Sequence, residues 1–156
     1  MIIRKATSAD VNSLVFMRIE YLKETLGRMD EKDIEALKKQ LQLYFKTHIN
    51  VDFTAYVAEQ DRAVVATGFM IVNEKPASPL FMTGKTGTVY NVYTRPQYQK
   101  KGLATSIMNQ IIQEAKKKHI SYIELSATDA GKPLYDKLGF MEKISAYTDM
   151  KLVLER

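Results

Sequence analysis

Gln99-Lys100-Lys101-Gly102-Leu103-Ala104 is the stretch whose residue types and spacing point most directly to chemistry. It follows a run that reads as a strand, residues 88–94, closed by Arg95-Pro96. It precedes a run that reads as a helix, with Ala104, Ile107, Met108, Ile111, Ile112 and Ala115 on one face. A helix begins with free backbone N–H groups and the positive end of its dipole. That end is a ready site for an anion. Gly102 permits a sharp turn and the close approach of a phosphate. Lys100 and Lys101 add charge, and the short side chain of Ala104 leaves room. An ordinary strand-to-helix turn with solvated lysines fits the same residues, so the motif alone leaves both readings open.

The charge distribution sharpens the question. The chain has 23 basic and 18 acidic residues in 156. Residues 95–118 hold six of the basic ones, Arg95, Lys100, Lys101, Lys116, Lys117 and Lys118, and one acid, Glu114, which leaves 17 of each sign elsewhere. The basicity is therefore local. It suits a small polyanion or nucleic acid, or, at Lys116–Lys118, a solvated helix face. No basic–aromatic binding motif accompanies it, which argues against nucleic acid.

At this point the chain resembles a known family. Gln99-x-x-Gly102-x-Ala104 matches the Q/R-x-x-G-x-G/A motif of the GCN5-related N-acetyltransferases, the GNAT superfamily. Val89-Tyr90-Asn91-Val92-Tyr93-Thr94 before Arg95-Pro96 is similar to that family's central fourth strand. Leu134-Tyr135-Asp136-Lys137-Leu138-Gly139-Phe140 is similar to its late Y-x-K-L-G-F helix. The resemblance implies acetyl-CoA as donor, no metal, and transfer of the acetyl group to an amine by direct attack in a ternary complex. Val92, Tyr93 and Thr94 would then offer backbone groups to the acetyl and pantetheine arm. Gln99, Lys100, Lys101, Gly102, Leu103, Ala104 and Thr105 would wrap the pyrophosphate, and a strand-four N–H would hold the oxyanion. Strands four and five, residues 88–94 and 121–127, would splay to admit the donor. Asp129 stands where the family often has Asn near the pantetheine, and it is equally a helix cap.

Tyr135 is the expected catalytic residue. The resemblance sets it near the donor sulfur. A tyrosine of pKa about 10 is protonated at neutral pH and can supply a proton to a thiolate whose acid has a pKa of about 8.5. Many relatives carry a carboxylate early in strand four as the base. Here that position is Thr88, a poor base. A water on Tyr90, on Asn91 or on a backbone carbonyl could relay the proton instead. The same departure motivates an alternative, a CoA-binding regulatory module without turnover.

For the acceptor, Arg18 lies amid an apolar helical face, where an unpaired charge is costly. It needs an internal acid, the expected partner, or a substrate carboxylate. Tyr21 and Thr25 border the same face, and Tyr90 and Asn91 complete the candidate acceptor site. Glu20 projects to the opposite side, with Glu24 between. His48 reads as a partly buried, satisfied histidine. Gly84-Lys85-Thr86 resembles the end of a P-loop, but Pro79 stands where that loop needs glycine.

These residues require a scaffold, expected to be one α/β (α+β) GNAT-like domain over residues 1–156. Its central sheet is mixed and mostly antiparallel, with six to seven strands and about four helices in the order β-α-α-β-β-β-α-β-α-β-β. Residues 2–4 form a first strand. Ser8 or Asp10 caps a helix to Leu26, with Val11, Leu14, Val15 and Leu22 on its face. A second helix starts near Asp30, striped by Ile34, Leu37, Leu41 and Phe45. Residues 53–59 and 63–72 make a hairpin about Gln60-Asp61-Arg62, and residues 73–87 a loop. A short helix with Pro133 in its first turn ends before Gly139, and residues 140–144 and 147–154 close the sheet.

Cysteine is absent, which excludes disulfides, thiolate metal sites and a cysteine nucleophile. His48 and His119 are too few for a histidine metal cluster. No apolar run nears the roughly 20 residues that span a bilayer, and Met1–Lys5 lacks the apolar stretch of a leader. The expectation is a cytoplasmic protein with a small-molecule or protein amine as partner and no membrane. Homodimers are common among similar proteins, and these residues do not decide the matter.

Overall fold

A computed structural model describes all 156 residues. Packing divides the chain into two units, residues 1–126 and 127–156. The first holds β1 (Ile2–Lys5), α1 (Val11–Leu26), α2 (Glu31–His48), β2 (Phe53–Gln60), β3 (Ala63–Glu74), β4 (Lys85–Thr94), α3 (Leu103–Lys117) and β5 (Ile123–Glu124). The second holds α4 (Lys132–Lys137). The five strands lie in the order β1-β2-β3-β4-β5. β1 to β4 pair antiparallel, and β5 joins β4 in parallel. The fold is thus the expected α/β class with a mixed sheet. No helix is long and apolar enough to cross a membrane.

Local chemistry explains most boundaries. Thr7 caps the first turn, its hydroxyl accepting from the Ala9 N–H at 3.3 Å, while the Asp10 carboxylate accepts from the Thr7 N–H at 2.8 Å. Thr7 therefore takes the role expected of Ser8 or Asp10. Asp10 also receives both Arg4 terminal nitrogens at 2.8 Å, and Arg4 Nε reaches Glu59 at 2.8 Å. That cluster ties β1 to the start of α1 and to β2. Asp61 and Arg62 both take positive φ, 51° and 65°, the turn that suits a two-residue hairpin. The expected loop at 73–87 is shorter, because Asn73↔Thr86 and Glu74↔Lys85 continue the β3–β4 ladder. Gly87 lies inside that ladder, where an added Cβ would meet Met70 Sδ at 3.0 Å.

The sheet carries a core on each face. Against α1 and α2, the rings of Phe45, Phe53 and Phe69 meet edge-on or tilted with centroids 5.1 to 5.5 Å apart. Each such pair adds about 0.5–1.5 kcal/mol beyond its burial. On the other face α3 packs on β2, β3 and β4 through Ile107, Met108 and Ile111, all fully buried. Gly68 makes this approach feasible, since its Cβ would stand 2.6 Å from Ile107 Cγ2.

Two expectations fail at the C-terminal end. β5 spans Ile123–Glu124 rather than 121–127, and residues 140–156 contain no strand. Met150, Leu152 and Leu154 alternate as a strand would, yet all are exposed. Alternation marks a face that could pair, but a strand persists only with a partner. The sheet consequently has five strands, not six or seven.

Candidate functional site

The site is organised by a bulge in β4. Thr67 pairs with Tyr93 and Phe69 with Tyr90, so two steps along β3 oppose three along β4. The extra residue is Asn91, in the left-handed region at φ 53°. Asparagine tolerates that conformation better than most residues. In a regular strand Tyr90 and Tyr93 would point to opposite faces. The bulge brings both toward α1: Tyr90 stands beside Arg18, and Tyr93 stands edge-on to Tyr21 at 6.2 Å. Asn91 is 1% exposed. Its Nδ2 donates to Thr67 Oγ1 at 3.3 Å, and the Thr67 hydroxyl donates to the Asn91 carbonyl at 3.1 Å.

Beside the bulge, β4 loses its neighbour. β4 and β5 pair only at Gly87↔Ile123 and Thr88↔Glu124. Beyond Thr88 that edge of β4, including Val92, Tyr93 and Thr94, has no strand against it. Peptide groups on such an edge are available to an extended ligand arm. Thr88 itself accepts from Asn73 Nδ2 at 3.0 Å.

Arg18 projects from α1 onto this strand. Its Nη1 donates to Asn91 Oδ1 at 3.3 Å, and its guanidinium lies 5.5 Å from the Tyr90 ring centre and 5.8 Å from that of Tyr21. The internal acid expected for Arg18 does not appear: no ion pair forms there, and its partners are a neutral amide and two rings. The Tyr90 hydroxyl donates to Tyr44 on α2; burial, then Tyr44, push its pKa up against the pull of Arg18. Tyr44 stacks on His48 at 4.5 Å, and His48 Nδ1 meets Asp52 at 2.7 Å, which satisfies that histidine as expected. Thr25 is not drawn in. It is exposed, and its hydroxyl donates back to the Tyr21 carbonyl at 2.7 Å.

The β4–α3 junction turns sharply and leaves the start of α3 open. Lys100 has φ 61° and Gly102 φ 75°, two left-handed residues that turn the chain into α3. Gly102 is the N-cap and offers no capping side chain. The first N–H groups of α3, at Leu103, Ala104 and Thr105, are therefore uncapped. Gln99 Nε2 donates to the Thr94 carbonyl at 3.1 Å and pins the turn to the end of β4. Lys100 and Lys101 are exposed, with Lys101 Nζ over the Tyr98 ring at 5.3 Å. The rest of the basic stretch divides. Arg95 sits over Phe16, and Lys118 binds Glu114 at 3.3 Å and Thr54 at 3.2 Å. Lys118 is thus internal structure rather than solvated surface.

In the second unit, Tyr135 lies on α4, edge-on to Phe140 at 5.8 Å. Its carbonyl accepts from the Phe140 N–H at 3.0 Å, which folds the chain back after Gly139 at φ 95°. Asp129 is exposed and caps nothing. The Thr128 hydroxyl instead accepts from the Gly131 N–H at 3.1 Å, and Gly131 precedes α4.

Tyr44 escaped the sequence reading, and Glu24 stands there as intermediate with no role. Tyr44 reaches Tyr90 from α2. Glu24 accepts the Tyr93 hydroxyl, and burial followed by Glu24 and Glu20 raises the Tyr93 pKa. The spacing Tyr21…Glu24, one helical turn, was the available signal. An open cleft of about 470 Å³ between α1 and α2, lined by Phe16, Ile19, Ile34 and Gln42 among others, holds none of the expected site residues.

Comparison with known proteins agrees with this architecture. The model of the acetyltransferase (GNAT) family matches residues 19–140. A crystal structure described as a predicted acetyltransferase from Clostridium acetobutylicum, with acetyl-CoA, is 29% identical. It superposes with a TM-score of 0.83 over 96% of this chain and 95% of that one. A GCN5-related N-acetyltransferase from Ralstonia eutropha is 22% identical, with a TM-score of 0.79 over 96% and 97% of the chains, and shares the fold. The ribosomal-protein-alanine N-acetyltransferase of Brucella melitensis shares it too, at 17% identity and a TM-score of 0.67 over 97% and 100%. No curated protein sequence matches. With the family model covering most of the chain, and the bulged β4, open edge and glycine turn in its matched region, the protein belongs to the acetyltransferase (GNAT) family and is an N-acetyltransferase.

Proposed function

We propose that the protein moves the acetyl group of acetyl-CoA onto a free amine by direct attack, with residues 1–156 working as one catalytic domain. The observation that carries this reading is the junction of an unpaired β4 edge with the glycine-turned start of α3. An extended acyl arm needs the first, and a pyrophosphate needs the second.

The chain's own groups divide the work. Leu103, Ala104 and Thr105 N–H groups, with Lys100 and Lys101, hold the pyrophosphate. Val92, Tyr93 and Thr94 present the peptide groups that orient the thioester. The amine nitrogen forms a bond to the thioester carbon, the carbon–sulfur bond breaks, and Tyr135 gives its proton to the departing thiolate. Asn91 and Tyr90 are engaged by Thr67, Arg18 and Tyr44, so neither is a ready holder for a relay water. In this reading Glu24, which accepts the Tyr93 hydroxyl beside β4, takes the amine proton.

The Thr88–Asn73 bond favours a second reading, binding without turnover, because a hydroxyl already engaged replaces the family's usual base. Thermal unfolding with acetyl-CoA, with ADP and tRNA as controls, tests binding. A ligand at 100 times its dissociation constant stabilises by about 2.7 kcal/mol. The expected shift is specific to acetyl-CoA and is lost in Gly102→Asp. No shift at millimolar acetyl-CoA overturns both readings. A shift without CoA release across a broad amine panel leaves the second.

A further inference from the structure

We infer that Arg18 anchors a carboxylate on the acceptor, so that the acceptor is a small amine bearing a carboxylate within a few bonds of its nitrogen, such as a free amino acid. The inference rests on the acetyl-transfer reading above.

Part-buried Lys85 and Arg95 also lack an ion pair, but Arg18 alone of these three has a side chain bonded to the β4 bulge, and the contrast with three further part-buried cations carries the argument. Arg4 has Asp10 and Glu59, and Lys5 and Lys118 share Glu114. Arg18, also part-buried, has the Asn91 amide oxygen at 3.3 Å and two aromatic faces. A guanidinium carries five N–H donors in a planar fork. One neutral acceptor leaves that fork largely unanswered, and a desolvated charge without a counter-ion is costly. A carboxylate answers it with two parallel bonds.

The arginine is also held in place. Asn91, which it bonds, is buried and fixed in the bulge by Thr67. Tyr21 and Tyr90 flank the guanidinium, and Tyr90 is itself tied to Tyr44. An anion bound there pays little ordering entropy.

Position sets the substrate class. Tyr90 and Asn91 belong to the stretch of β4 that lacks β5, so the anchor adjoins the edge proposed to orient the thioester. The opposite charge lies further along α1. Glu24 is six residues from Arg18, about 9 Å along a helix axis, and the Tyr21 ring borders both Arg18 and Tyr93, the residue that Glu24 bonds. A polyamine would meet the guanidinium with like charge.

The test measures CoA release with the common L-amino acids and their carboxamides, for the native protein, Arg18→Gln and Arg18→Lys. Acids should exceed their carboxamides in kcat/KM by about tenfold to a hundredfold. Arg18→Gln should abolish that ratio, mainly through KM, and Arg18→Lys should keep part of it. Both variants should keep the native thermal shift with acetyl-CoA, which controls for folding. Equal rates with acids and amides, a preference for polyamines, or a ratio that survives Arg18→Gln overturns the inference. Thermal shifts with the same amino acids and carboxamides, without donor, separate the failures. Arg18-dependent amino-acid binding without acetyl-CoA binding sinks the transferase and spares the anchor. Acetyl-CoA binding without any carboxylate preference sinks the anchor alone.

Discussion

Asn91 Oδ1 accepts from Arg18 Nη1 at 3.3 Å while Asn91 Nδ2 donates to Thr67 at the same distance. One buried amide therefore joins α1, the β4 bulge and β3. It does so from a left-handed backbone, φ 53°, so its side chain and its main chain serve the same geometry.

Replacing Asn91 by alanine should cost about 2–4 kcal/mol, the sum of left-handed strain and two lost hydrogen bonds in a buried setting. Asn91→Gly removes the strain but not the lost bonds, so it should recover about 1 kcal/mol. Urea midpoints of the two variants check this. Equal midpoints would show that the bulge carries no strain, and a loss under about 1 kcal/mol would show that the amide does not hold it.

Gly68→Ala should destabilise by about 1–3 kcal/mol through overpacking. The new Cβ would stand 2.6 Å from Ile107 Cγ2 and 3.0 Å from Ile111 Cδ1. Gly68→Ala with Ile107→Ala should then be less destabilising than the two changes summed, since the second removes the nearer colliding atom. Strict additivity in denaturant unfolding would place the strain elsewhere.

Helices α1 to α3 and the glycine turn were legible because their signals are local. Ile34, Leu37, Leu41 and Phe45 mark α2 by spacing, and a glycine after a basic pair marks the turn. The bulge was not legible. It arises from the register of Thr67 and Phe69 against Tyr93 and Tyr90, a pairing that no window along one strand contains. For the same reason Tyr44 went unnoticed, because its link to Tyr90 joins α2 to β4. Met150, Leu152 and Leu154 misled in the opposite sense. Their alternation describes a face, and only a partner makes a face into a strand.

Acid should weaken the fold through Glu114 and Asp10. Burial raises the Glu114 carboxyl, but Lys5 and Lys118 outweigh it and hold it below its ordinary range. Arg4 holds Asp10 down in the same way. A folded-state pKa below the unfolded one gives stability that is complete above the unfolded value and lost as pH falls through the folded one. Tm should therefore fall below about pH 4. Glu114→Gln should lower Tm at neutral pH, where it strips Lys5 and Lys118 of their counter-ion, and flatten the acid limb. It also removes the charge beside the Tyr56 hydroxyl, whose pKa burial and Glu114 push up to about 12. An acid limb as steep as the native one would remove Glu114 from this account.

Tyr135→Phe tests the proposed proton donor. The ring and its edge contact with Phe140 remain, and thermal unfolding of the variant without ligand checks that the fold is kept. If the hydroxyl protonates the leaving thiolate, kcat should fall by about a hundredfold or more. KM for the amine and the thermal shift with acetyl-CoA should stay near native, because the hydroxyl acts in the transition state and not in binding. A kcat within about twofold of native would pass the proton to water and reduce Tyr135 to a packing role. A loss confined to KM would make it a binding group, which the acid–carboxamide comparison at Arg18 could then place relative to the acceptor.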